Sequence, residues 1–188
     1  MKFFFGKLQY NSPVTLTFAL VSLVILLLGQ ITDGLSTNLL FSAYRSSWTD
    51  PLTYFRLLGH VLGHVNWSHY SSNMVLFLVL GPILEEKYKS QSFLIMIAIT
   101  AFVSGLLHVV LFPNTVLLGA SGIVFMMIVL SSVAGMKDGK IPLTLILVII
   151  VYLGGEILSI GSKDGIAHIA HILGGICGAG FGLVGRRP

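Results

Sequence analysis

Charge is scarce in this chain. Lys, Arg, Asp and Glu together make up 10% of its 188 residues, where a soluble globular domain carries about 25%. With a mean hydropathy of +0.92, that shortage excludes an ordinary water-soluble domain. The net charge of +4 comes from basic residues dispersed over short loops and both ends, so it carries no nucleic-acid signal. A lone cysteine, Cys177, excludes a disulfide framework and, within an apolar run, reads as a small packing residue. His60 and His64, and His168 and His171, have helical ligand spacing. No HExxH sets a glutamate between such ligands, so the histidine-rich loop reads as hydrogen-bonded structure and no metal or other cofactor is expected. Internal repeats and paired broken helices, the marks of a small transporter, are also missing.

What the chain has instead is apolar runs of membrane-crossing length. They fall at about residues 12–30, 69–84, 91–112, 121–136, 141–157 and 168–184. The expectation is an all-α membrane protein, one domain over residues 1–188 with six transmembrane helices. The first run is too long for a signal peptide, and no small-residue cleavage site follows it. Between the first two runs lie about 36 residues (33–68), too long for a plain loop. Trp48, Tyr54, Phe55 and Trp67 are rings that settle at a membrane interface, so a structured, membrane-embedded first loop is expected there. The fourth run is short: its sixteen residues span roughly 24 Å against a core of roughly 30 Å. Its Ser121 end must then lie below the surface, and the preceding loop, 113–120, must dip in. Such a loop is tolerated only where protein or a water-filled cavity satisfies its backbone.

Six spans put both termini on one side. Eight basic residues fall on that side (Lys2, Lys7, Lys87, Lys89, Lys137, Lys140, Arg186, Arg187) and three on the other (Arg45, Arg56, Lys163). The positive-inside rule places the termini in the cytoplasm. Ser121, His171, His69 and the 33–68 loop then all face the opposite side, around one cavity.

Polar groups within such runs cost several kcal/mol if unsatisfied, so each needs a reason. Ser121 alone could be a helix N-cap, and His171 alone an interhelical hydrogen bond. Together they suggest a nucleophile and its base. Gly119 and Gly122 bracket the serine. Gly174 and Gly178, four apart beside the histidine, allow the two helices to approach closely. His69 and Asn73 lie one turn apart on the second helix. With the unpaired N–H of Ser121 they supply donors for a developing oxyanion; Asn73 as a plain interhelical bridge is the blander reading.

The ordered set resembles the rhomboid family of intramembrane serine proteases, in its six-span bacterial form. Gly119-Ala120-Ser121-Gly122 is similar to the family's GxSG motif, and His171 with Gly174 and Gly178 to its HxxGxxxG motif. His60, His64, His69 and Asn73 resemble the histidine series leading into HxxxN. The resemblance implies a Ser121–His171 dyad with no third acid; neither Glu156 nor Asp164 is placed one turn from His171. His168, one turn earlier, is the competing base. Glu85 resembles an acid at the inner end of the second helix, met by residues 12–15 and Ser90. Phe125 stands where many members stack a tyrosine on the base, and Phe55-Arg56 where Trp-Arg is common. Further implications are hydrolysis of peptide bonds in single-span membrane substrates, a surrounding of membrane lipid, a mobile cap at 158–167, and a bacterial inner-membrane location with the site opening outward. Two other roles stay in view: a metal-dependent membrane protease, and a rhomboid-like protein that binds clients without cutting them. Oligomeric state is left open.

Overall fold

Pro13 starts the first helix, α1 (Pro13–Ile31), at a position where proline's missing N–H costs nothing. It is the first of eight helices among the residues described by a computed structural model, which are 9–135, 140, 143–148, 150 and 165–184. Asp33 and Gly34, with φ of 49° and 83°, reverse the chain into the short α2 (Leu35–Leu40). Asp50 caps α3 (Pro51–Gly59) by accepting the Leu52 N–H at 3.0 Å. A 3₁₀ turn, His60–Leu62, follows. Asn66 caps α4 (Trp67–Tyr88) by accepting the His69 N–H at 2.8 Å. Lys89 alone, at φ 70°, joins α4 to α5 (Ser90–Leu111). The remaining helices are α6 (Ser121–Ala134), α7 (Leu143–Val148) and α8 (Gly165–Val184).

The fold is an all-α bundle with, among the described residues, two helices long and apolar enough to cross a membrane. These are α1 and α5, with 19 and 22 residues and mean hydropathies of 2.4 and 2.5. Helix α6 and residues 169–184 of α8 are apolar but shorter. The exterior of the bundle is itself apolar. Leu20, Val24 and Ile31 on α1, and Leu94, Ile95 and Phe102 on α5, are all exposed. A surface of that kind calls for lipid rather than water and is consistent with integral membrane location.

Helix α6 forms the centre. Nine of its fourteen residues are buried, Ile123, Met126, Met127 and Leu130 among them, as expected of a helix that is apolar all round. Between α1 and α4, Phe18 and Phe77 stack at 4.5 Å. At one end of the bundle the buried Glu85 carboxylate ties three helices together. Its Oε1 accepts the Val14 N–H (2.9 Å) and the Ser90 hydroxyl (2.7 Å). Its Oε2 accepts the Thr15 N–H (2.9 Å) and hydroxyl (2.8 Å). Two orphan donors of the first turn of α1 are thereby satisfied, with negative charge at a helix N-terminus.

The segment before α4 is structured throughout. Arg56 is 3% exposed; its Nε donates to Leu39 O at 2.7 Å, its Nη1 pairs with Asp50 at 3.3 Å, and its guanidinium lies over the Tyr44 ring. Arg45 donates to the Val109 and Val110 carbonyls, closing the C-terminal turn of α5. Lys2, Lys7, Lys137, Lys163, Arg186, Arg187, Glu156, Asp164, most of the expected fifth run and residues 158–164 of the expected cap lie outside the described residues. Residues 165–167, expected as loop, are the first turn of α8.

Candidate active site

Helices α6 and α8 run parallel in close contact, and glycine is what permits it. A methyl group on Gly174 would overlap the Gly122 carbonyl, and one on Gly178 the Met126 carbonyl. Further along, one on Gly182 would come within 2.5 Å of Val133 Cγ1. Backbone meets backbone at Gly174 and Gly178 and the contact continues to Gly182, so the helix N-termini share one end of the bundle. There, Phe125 stacks face to face on the His171 imidazole, with centroids 4.4 Å apart and planes 5° from parallel. Ser121 lies one turn before Phe125, on the same face of α6.

Ser121 is the first residue of α6. Ala120 occupies the cap position, and no side chain caps the helix. Capping therefore does not account for this serine. Its N–H and those of the next two residues are the orphan donors of the helix start. Among the described residues no hydrogen bond joins Ser121 to His171.

The loop before Ser121 is held by protein at every turn. Leu117 and Ala43 exchange backbone hydrogen bonds at 2.8 and 2.9 Å, an isolated antiparallel bridge. The Gly119 N–H donates to His60 O at 2.9 Å, and Ala120 is fully buried. These partners satisfy the backbone as a loop dipping into a bilayer would require. Gly119 sits at φ +116°, and a Cβ there would come within 2.7 Å of His69 Cε1 and Nε2. Only glycine meets both demands. The same contact puts the His69 ring against the chain two residues before Ser121.

His69 is half-buried, and its Nδ1 has no hydrogen-bond partner among the described residues. His69 and His171 are near enough for charge on one to be felt at the other. One turn along α4, Asn73 is 6% exposed and donates one amide hydrogen to His69 O at 2.8 Å. Ser121, His69 and His171 are half-buried and Asn73 is buried. The side chain of His168 lies outside the described residues.

His60 and His64 do not converge on a common point. His60 is enclosed, with Nδ1 at 3.2 Å from Arg56 O and Nε2 at 3.5 Å from Ser104 Oγ. Burial, reinforced by nearby His108, lowers its pKa to about 4 despite the Arg56 carbonyl. His64 packs edge-on to the rings of His69 and Tyr70 at 5.1 and 5.5 Å. Its pKa is lowered to about 4 as well, by burial first and by His69 second. Both are held neutral at pH 7, as packing groups. Ala43 and Arg45, which anchor the loop before Ser121 and the end of α5, had no signal in the sequence; a long-range bridge between two loops leaves no periodicity to read.

A comparison with the curated proteins finds no match. A family model does match: that of the Rhomboid domain, over residues 51–188. It covers α3 to α8, with Ser121, His171, His69 and Asn73 among them, and the chain belongs to the rhomboid family.

Proposed function

We propose that the protein is an intramembrane serine endopeptidase that cuts single-span membrane proteins with a Ser121–His171 dyad. The observation that carries this reading is the Phe125–His171 stack on glycine-spaced parallel helices. It fixes the plane of the imidazole one turn from a serine that caps nothing. In the reaction, His171 takes the Ser121 proton as Oγ attacks the scissile carbonyl carbon. The oxyanion is received by the Ser121 N–H together with His69 and Asn73. His171 then returns the proton to the leaving amine, and water hydrolyses the acyl-enzyme by the same steps. That no hydrogen bond joins Ser121 to His171 among the described residues fits a resting site, where catalytic hydrogen bonds are commonly long.

Six membrane spans, cytoplasmic termini and a site opening to the far side belong to the same reading. Their support is the charge distribution of the sequence and the parallel run of α6 and α8, which an intervening span explains. The test is labelling with a fluorophosphonate serine probe, beside Ser121→Ala, His171→Ala and a chelator control. Labelling that both substitutions abolish and chelator leaves intact is the expected result. A folded protein that takes no label would instead be a client-binding member of the family. Labelling that survives His171→Ala but not His168→Ala would move the base one turn.

A further inference from the structure

His64 is a buried titratable side chain that the dyad reaction does not use. Its orientation is held from several directions. Gly63, just before it, lies against the Phe41 carbonyl, which a Cβ there would overlap. His64 Nδ1 lies 3.2 Å from the Leu62 carbonyl and so carries the ring hydrogen. The ring also stands edge-on to Tyr70, whose hydroxyl donates to Ala19 O on α1 at 3.1 Å.

Packing alone does not call for an imidazole here. Nε2 is buried and has no hydrogen-bond partner among the described residues. A buried nitrogen left so costs more than an apolar side chain of that volume would. What the imidazole offers over an apolar ring is the bond to Leu62, which sets its plane. The ring so fixed meets His69, with centroids 5.1 Å apart and planes at 64°.

His69 needs such a neighbour. Asn66 and Asn73 bond its backbone, but among the described residues no hydrogen bond orients its ring, and Nδ1 is buried without a partner. Gly119 and His64 pack against that ring instead. A ring held by packing turns when a neighbour is removed, and a donor aimed at an oxyanion tolerates little turning.

We propose that His64 is a positioning residue, whose fixed imidazole holds the His69 ring in the plane from which it donates to the oxyanion. The inference rests on the proteolytic reading.

The test measures labelling of Ser121 by a fluorophosphonate probe in the full chain, over a range of probe concentrations. The limiting rate is thereby separated from probe affinity, and rates are counted per folded protein. His64→Leu is expected to lower the limiting rate about tenfold with affinity unchanged. His64→Phe, which restores a ring, is expected to stay within about threefold of wild type. His64→Asn keeps a donor for the Leu62 carbonyl but has no ring, and is expected to slow labelling as leucine does. His69→Leu, which fills the space but donates nothing, is expected to cost about a hundredfold. In that background His64→Leu should change the rate by less than about twofold, because its effect passes through His69. The His69 ring signal in magnetic resonance of isotope-labelled histidine, assigned by its loss in His69→Leu, should move in His64→Leu and His64→Asn. The same loss of rate with and without His69, a loss confined to affinity, or an unmoved ring signal would each overturn the proposal. A wild type that labels with no coupling between positions 64 and 69 overturns this inference alone, whereas a wild type that takes no label overturns the proteolytic reading and this inference with it.

Discussion

Replacing Glu85 with alanine removes an acceptor that serves four donors on two other helices. Hydrogen bonds to a charged group contribute about 1.5–3 kcal/mol each. They do not add, and the carboxylate pays for its own desolvation. Glu85→Ala leaves the N–H groups of Val14 and Thr15 without partners, beside a fully buried Thr15 side chain. Breaking a buried charged network of this kind costs about 3–5 kcal/mol. For a chain of this length that lowers the unfolding temperature by roughly 10 °C. Glu85→Gln keeps one acceptor oxygen with its two donors but turns an NH₂ toward the other pair, so about half the loss is expected. A double-substitution cycle with Thr15→Val isolates the hydroxyl bond to Oε2, for which a coupling of about 1–2 kcal/mol is expected. Thermal unfolding in one lipid or detergent system, followed by circular dichroism, reads all four forms. Labelling of Ser121 in the folded fraction should not change, because the network lies at the opposite end of α4 from His69. Equal unfolding temperatures for wild type and Glu85→Ala, or zero coupling with Thr15, would refute the reasoning.

Glycine substitutions in α8 should divide sharply. Gly174→Ala sets a methyl group against the Gly122 carbonyl and should cost about 2 kcal/mol or more, whereas Gly180→Ala meets nothing within 4 Å and should be neutral or stabilise by about 0.5–1 kcal/mol; equal unfolding temperatures would show that the helices are not in contact. Phe125→Ala should slow serine labelling about tenfold or more by releasing the His171 ring, while Phe125→Tyr should preserve it; unchanged rates in the alanine form would remove the stack from the mechanism. The buried loop histidines predict a pH dependence of stability. Unfolded His60 binds its proton near 6.5 and folded His60 near 4, so between those values the unfolded chain holds more protons and stability rises with pH. The contribution, on the order of 3 kcal/mol from His60, is fully present above about pH 6.5 and is lost as pH falls toward 4. His60→Gln should flatten that slope, and an unchanged slope would mean that another group causes it.

The apolar runs overlap α1, α4, α5, α6 and α8 but miss some of their ends. The run expected at 69–84 is the middle of α4, Trp67–Tyr88. Its start was signalled by Asn66, a good cap, but the polar residues of the first turn masked it. Its end was set too early because Glu85, Glu86 and Lys87 mark where an apolar stretch stops, and hydrogen bonding continues past them. The short fourth run was more informative. Its length called for protein or a water-filled cavity to satisfy the loop before Ser121, and Ala43 and His60 are groups that do so. Which residues would do so could not be read, since partners in two separate loops follow no period. The candidate site was legible as a set of residues because Gly119, Ser121, His171 and Gly174 stand in motif register. That Gly119 presses against His69, and that Ser121 caps nothing, needed coordinates.

The pairing of α6 with α8 also fixes when the site can exist. Gly122 and Gly174 touch across 52 positions of sequence, whereas α4 and α5 are joined by one residue. Contacts so distant in sequence form late, after local hairpins have closed. During synthesis the chain emerges from its N-terminus, so α1, α4, α5 and α6 can assemble before α8 is made. Of Ser121, His69, Asn73 and His171, the last is then the latest to arrive. A nascent chain then presents Ser121 on a formed scaffold before α8 and its His171 have joined it.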